Sequence, residues 1–120
     1  MIHHKKLPDG VFDTHIHIVT GDYDSVSRYM LKHCDHELDK HVCGRYVYFS
    51  PRTPKGYTEH YIILVTDRMA KCERRATLVH EVVHCALNIF EMKGIKYSSK
   101  HSESLAYFIE WVYSEAEECL

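Results

Sequence analysis

The chain has 120 residues, 45% of them apolar and 27% charged, with a net charge of -2. That is enough for one domain with one hydrophobic core, too little for two ordinary domains, and without the basic excess that a nucleic-acid partner demands. No apolar run approaches the roughly 20 residues that span a bilayer, and Met1-Ile2-His3-His4-Lys5-Lys6 has no apolar stretch behind it, so neither membrane insertion nor secretion is expected.

The five cysteines are odd in number and form no Cys-x-x-Cys pair, which fits reduced thiols and a cytoplasmic location. In chain order, Val11 to Val19 alternates Phe12, Thr14, Ile16 and Ile18 with Asp13, His15 and His17, the period of a strand with one apolar face. Asp22 to Ser25 offers capping groups, and Val26, Tyr29, Met30 and Leu31 predict a helix running to about Lys40. Gly44 to Phe49 and His60 to Val65 are rich in β-branched and aromatic residues, and the turn-forming run Ser50 to Gly56 between them predicts a long-looped hairpin. Arg74 to Lys93 has helical periodicity. One broad arc holds Leu78, Val79, Val82, Val83, Ala86, Leu87, Ile89 and Phe90, and the other holds Thr77, His80, Glu81, His84, Asn88 and Glu91. Gly94 is placed to stop that helix, and a last helix follows from about Ser102 through Leu105, Ala106, Ile109, Val112 and Tyr113.

Chemistry concentrates in His80-Glu81-Val82-Val83-His84. Two histidines four residues apart lie one above the other on a helix, so both can aim an imidazole nitrogen at one ion about 2.0–2.1 Å away. Glu81 flanks them, where its carboxylate can take a proton from a water activated by a single zinc ion. With eleven histidines such a pair can also arise by chance. Its place on the polar arc of an otherwise apolar helix, directly after an apolar strand, argues for the metal.

The motif together with Glu103-Ser104-Leu105-Ala106-Tyr107 resembles the gluzincin branch of zinc metallopeptidases, and the stretch from Leu78 to Tyr113 is similar to small phage-encoded proteins of zincin type. The resemblance implies a minimal zincin-like α+β domain with a small, mainly antiparallel sheet, an active-site helix and a C-terminal helix. It also implies a peptide or protein substrate, zinc held by His80, His84 and Glu103, and Glu81 as general base; a phage origin would put the protein in a host cytoplasm. The chain departs from large gluzincins in lacking the asparagine-glutamate-glycine context of the third ligand and a second lobe, so the cleft is expected to be shallow or completed by a partner protein. His101 is the alternative third ligand, and Tyr107 and Tyr97 are candidates to orient Glu103 or to donate to an oxyanion. Strand His60 to Val65 is a candidate to hold an extended substrate by strand addition, as zincins do.

Two rival functions stand beside this one: a non-enzymatic protein in which zinc is a structural staple, with a viral or host-interaction role, and a SprT-like protease with a third histidine, against which the missing basic surface counts. Elsewhere, Asp13-Thr14-His15-Ile16-His17 matches the His-x-His that opens amidohydrolase barrels, but such a barrel needs roughly 200 residues or more. A sheet face open to solvent or near the cleft is the expected place for His15 and His17. His33, Cys34, His36, His41 and Cys43 have donors for a structural zinc but match no ribbon or finger spacing, and incidental histidines with partly buried cysteines explain them.

Overall fold

The computed structural model describes residues 1–7, 12–50, 56–96 and 98–120. Its elements are β1 (Ile2–Lys6), β2 (Thr14–Gly21), α1 (Tyr23–Cys34), β3 (Gly44–Phe49), β4 (Thr58–Val65), two single 3-10 turns, α2 (Arg74–Met92) and α3 (Ser102–Glu117). The α+β class expected from the sequence is the class observed. The four strands form one sheet in the order β1-β2-β4-β3. Its outer pairings, β1 with β2 and β3 with β4, are antiparallel, and the central pairing of β2 with β4 is parallel. The sheet is therefore mixed, because α1 supplies the crossover that a parallel neighbour requires.

Alternation divides the sheet residues between two covered faces. Ile16, Ile18, Ile62 and Leu64 pack beneath α2 and α3 with Leu78, Val82, Ala86, Ile89, Leu105, Phe108 and Val112. Val19, Tyr61, Ile63 and Val65 pack on the other face with Val26 and Met30 of α1. A helix layer thus lies on each side of the sheet. Both faces being buried, β4 reads as a continuous apolar run rather than a strict alternation.

Local chemistry sets the boundaries. The Asp22 side chain caps α1 by accepting from the Ser25 amide at 3.0 Å. The helix then ends at Cys34, short of the expected Lys40, because Asp35 turns left-handed (φ 49°) and returns its amide to Leu31. At the other end of the fold, α2 stops where expected. Gly94 is left-handed (φ 71°), its amide donates to the Glu91 carbonyl at 3.0 Å and that of Ile95 to Phe90 at 2.9 Å, the paired bonds of a Schellman ending.

Strand β2 begins at Thr14 rather than Val11, which lies outside the described residues. Phe12 and Asp13 are both left-handed, at φ 58° and 52°, a costly pair for residues with side chains. The turn drops the Phe12 ring edge-on against Phe90 and Phe108, at centroid distances of 5.4 and 5.8 Å. Strand β1 carries no apolar alternation and was not expected. It is an edge strand, where lysines protect an open edge, and Lys5 reaches Glu115 at 2.8 Å and Glu118 at 2.6 Å near the end of α3. Among the described residues no helix is long and apolar enough to cross a membrane.

Candidate metal centre

Helix α2 lies on the sheet with His80 and His84 turned outward. Their Nε2 atoms stand 3.1 Å apart. Two nitrogens bound to one zinc at ~2.0–2.1 Å in tetrahedral geometry stand about 3.3 Å apart, so the rings already hold the spacing that one ion needs. One ligand atom each from His80, Glu81 and His84 falls within 4.8 Å of the others, the one such group among the described residues. Two imidazoles and a neighbouring carboxylate are groups that could hold a divalent metal ion.

Glu81 does not share the exposure of its neighbours. It is 6% exposed, on the side of α2 that faces the start of β3. Gly44 explains how it fits. A Cβ there would stand 2.6 Å from Thr77 Cγ2 and 3.2 Å from Glu81 Cγ, so the missing side chain lets β3 close on the helix and press against the carboxylate. Burial raises the Glu81 pKa, opposed by His80, His84 and Arg45. Its carboxylate forms no hydrogen bond or ion pair among the described residues, and it lines a cleft of about 450 Å³ with Val42, Cys43, Gly44, Ala76, Thr77 and His80. The largely buried Glu81 thus presents its carboxylate to this cleft next to the two paired imidazoles.

One turn further along α2, Asn88 Nδ2 donates to the Tyr46 hydroxyl at 2.8 Å, and that hydroxyl meets His60 Nδ1 at 2.6 Å. This part-buried network ties α2 to β3 and β4 beside the site. His60 is fully buried, and burial brings its pKa down to about 4.

The structure departs from the sequence expectation for Glu81, Val79, Leu87, His17 and the edge of β4, and it places the remaining candidates as follows. Glu81 is not on the solvent arc, and Val79 and Leu87, assigned to the apolar arc, are 42% and 44% exposed. Strand β4 cannot take an added substrate strand at His60 to Val65, because β2 and β3 already occupy both of its edges. The open edge near Glu81 belongs to β3. His17 is 7% exposed instead of lying on an open face. Neither Glu103 nor His101 joins the His80-Glu81-His84 group; both are exposed, and His101 lines an apolar cavity with Leu87, Phe90, Glu91 and Leu105. Tyr107 is 66% exposed and is not among the residues of the cleft, while Tyr97 lies outside the described residues. The run from His33 to Cys43 does not converge: His33 and Cys34 line a cavity on the α1 face, and Cys43 lines the cleft beside His80. Gly44, which seats Glu81, was missed, and its position at the head of a strand opposite a metal motif was the available signal.

No family model matches this chain, and neither the curated proteins nor the solved structures searched contain a significant match.

Proposed function

We propose that the protein is a zinc-dependent hydrolase that cleaves peptide bonds at the cleft between β3 and α2. The observation that carries this reading is the 3.1 Å separation of the His80 and His84 Nε2 atoms with the buried Glu81 carboxylate beside them. His80 and His84 would hold the ion, which when bound supplies Lewis acidity to a carbonyl and acidity to a water molecule. Glu81 takes the proton from the attacking water and hands it to the leaving amine, and its burial favours the protonated form that this return step uses. Glu103, with His101 as the alternative, is the proposed third ligand on the resemblance alone, since both stand outside the His80-Glu81-His84 group and would have to be brought to it. The free edge of β3, next to Glu81, is available to pair with an extended peptide.

The test is cleavage of a denatured protein or peptide library by zinc-loaded protein and by Glu81→Gln. Loss of cleavage in the variant with zinc retained supports the reading; equal cleavage, or none by either form, overturns it.

The exposure of both histidines supports one other reading, in which the zinc is shared with a partner protein that covers α2 and no hydrolysis occurs. Zinc-dependent complex formation without cleavage would favour it.

A further inference from the structure

On the sheet face away from α2, the parallel pairing of β2 and β4 sets His15 directly opposite Glu59 and His17 opposite Tyr61. Side chains two residues apart on a strand share a face, so His15, His17 and Glu59 project together beneath α1. His15 Nδ1 meets Glu59 Oε2 at 2.6 Å, and His17 Nε2 faces Glu59 Oε1 at 3.5 Å. The His17 ring is held firmly. It stacks on Tyr61 at 4.3 Å with an 8° interplanar angle, and its Nδ1 pairs with His4 Nε2 at 3.0 Å.

That arrangement leaves a defect. Among the described residues His17 Nε2 is buried with no hydrogen-bond partner, Glu59 Oε1 at 3.5 Å being too far for a good bond, within a side chain only 9% exposed. If His17 donates to His4 through Nδ1, a bare nitrogen lone pair faces a carboxylate oxygen, two acceptors confronting each other. If His4 donates instead, the Nε2 proton points at an oxygen 3.5 Å away, beyond the range of an N–H···O bond. Either tautomer strands a buried polar atom, which is unfavourable. A cation between the two atoms removes the conflict, and 3.5 Å is close to the separation of two donors bound to one ion at about 2.1 Å.

The geometry points to a second cation site, formed by His15, His17 and Glu59, that binds a divalent first-row transition ion. Two imidazoles and one carboxylate are the donors that such ions take, and His4 on the far nitrogen of His17 is the outer partner that fixes a metal-binding ring. The three donors are less closely gathered than at His80-Glu81-His84. His15 completes the set by rotating from Oε2 towards the ion, and it has room to do so because it borders a cavity of about 710 Å³ with Cys34, Tyr57, Glu59 and Tyr61. This site is independent of the one on α2.

The test is titration of the full chain with Zn²⁺ and with Co²⁺ after His80→Ala and His84→Ala have removed the α2 ligands. This background should still bind one ion, with the visible bands of a histidine-ligated cobalt centre. Adding His17→Phe, which keeps the stacked ring but removes the donor, should weaken binding at least about 100-fold. Glu59→Gln keeps the side-chain shape and carries the same decision if His17→Phe fails to fold. A background that binds no ion overturns the proposal, and so does undiminished binding in both variants, which would assign the metal to surface histidines. Metal lost with His80 and His84 alone would leave the α2 site standing and remove this one; metal kept there but lost with His17 would establish this site without bearing on the one on α2.

Discussion

The two faces of the sheet present histidine and glutamate in opposite ways. On α2 the donors come from consecutive turns of one helix, with both histidines exposed and only Glu81 buried. Beneath α1 they come from two strands far apart in sequence, with His17 buried and Glu59 half-exposed. The helical group is preorganised by local geometry and open to solvent. The sheet group depends on the register of β2 against β4 and borders a half-open cavity beside α1. A helix can thus display a site to macromolecules, whereas a sheet face under a helix suits a small ion or ligand.

The largest expected effect separates the roles of the two acids. Glu81→Gln should lower hydrolysis by about 10²–10⁴-fold, as for a lost general base, while zinc content is unchanged. Glu59→Gln should leave peptide cleavage within about twofold, since it lies on the other face of the sheet. Kinetics and elemental analysis of both proteins check this, and equal losses would erase the distinction between the faces.

Next in size is the third ligand on the helical face. Glu103→Ala is expected to weaken zinc binding by about 100-fold and His101→Ala to leave it near the parent value, measured by competition with a chromogenic chelator. The reverse result would make the centre a three-histidine one. Since neither residue stands in the group, a flat response to both would place the missing ligand on substrate, water or a partner.

Gly44→Ala probes the cleft itself. The added methyl would meet Thr77 at 2.6 Å, so a destabilisation of about 1–3 kcal/mol is expected in urea melts, together with reduced hydrolysis as Glu81 is pushed aside. Unchanged stability would show that β3 does not press on the helix as described.

How far these features could be read in the sequence follows from the range of the interactions. The i, i+4 spacing of His80 and His84, the stop at Gly94 and the hairpin of β3 and β4 are local, and all were legible. Strand β1 was not, because an edge strand carries charges for protection rather than an apolar period. The burial of Glu81 depends on Gly44, far away in the chain, and the facing of His17 and Glu59 depends on a parallel register that no short-range pattern encodes. Helical arcs drawn at 100° per residue missed the exposure of Val79 and Leu87, since which part of a helix is covered is decided by where α3 and β3 dock.

A smaller effect lies in pH. His60 titrates near pH 6.5 when unfolded and at about 4 when folded, so the unfolded chain binds more protons between those values and stability falls as pH drops through that window. The loss from this residue should be about 1.5 kcal/mol between pH 6.5 and pH 5. The lowered pKa values of His4 and His17 act in the same direction. Chemical melts across this range should show the slope, and His60→Gln should flatten it; a pH-independent midpoint would contradict the burial of these rings.

The central claim is that His80 and His84 hold a metal ion together. Zinc titration of the parent chain and of His84→Ala, at neutral pH with folding checked by circular dichroism, tests it most directly. The parent should bind one more tightly held zinc per chain than the variant. Equal zinc uptake and affinity in the two proteins would contradict the account.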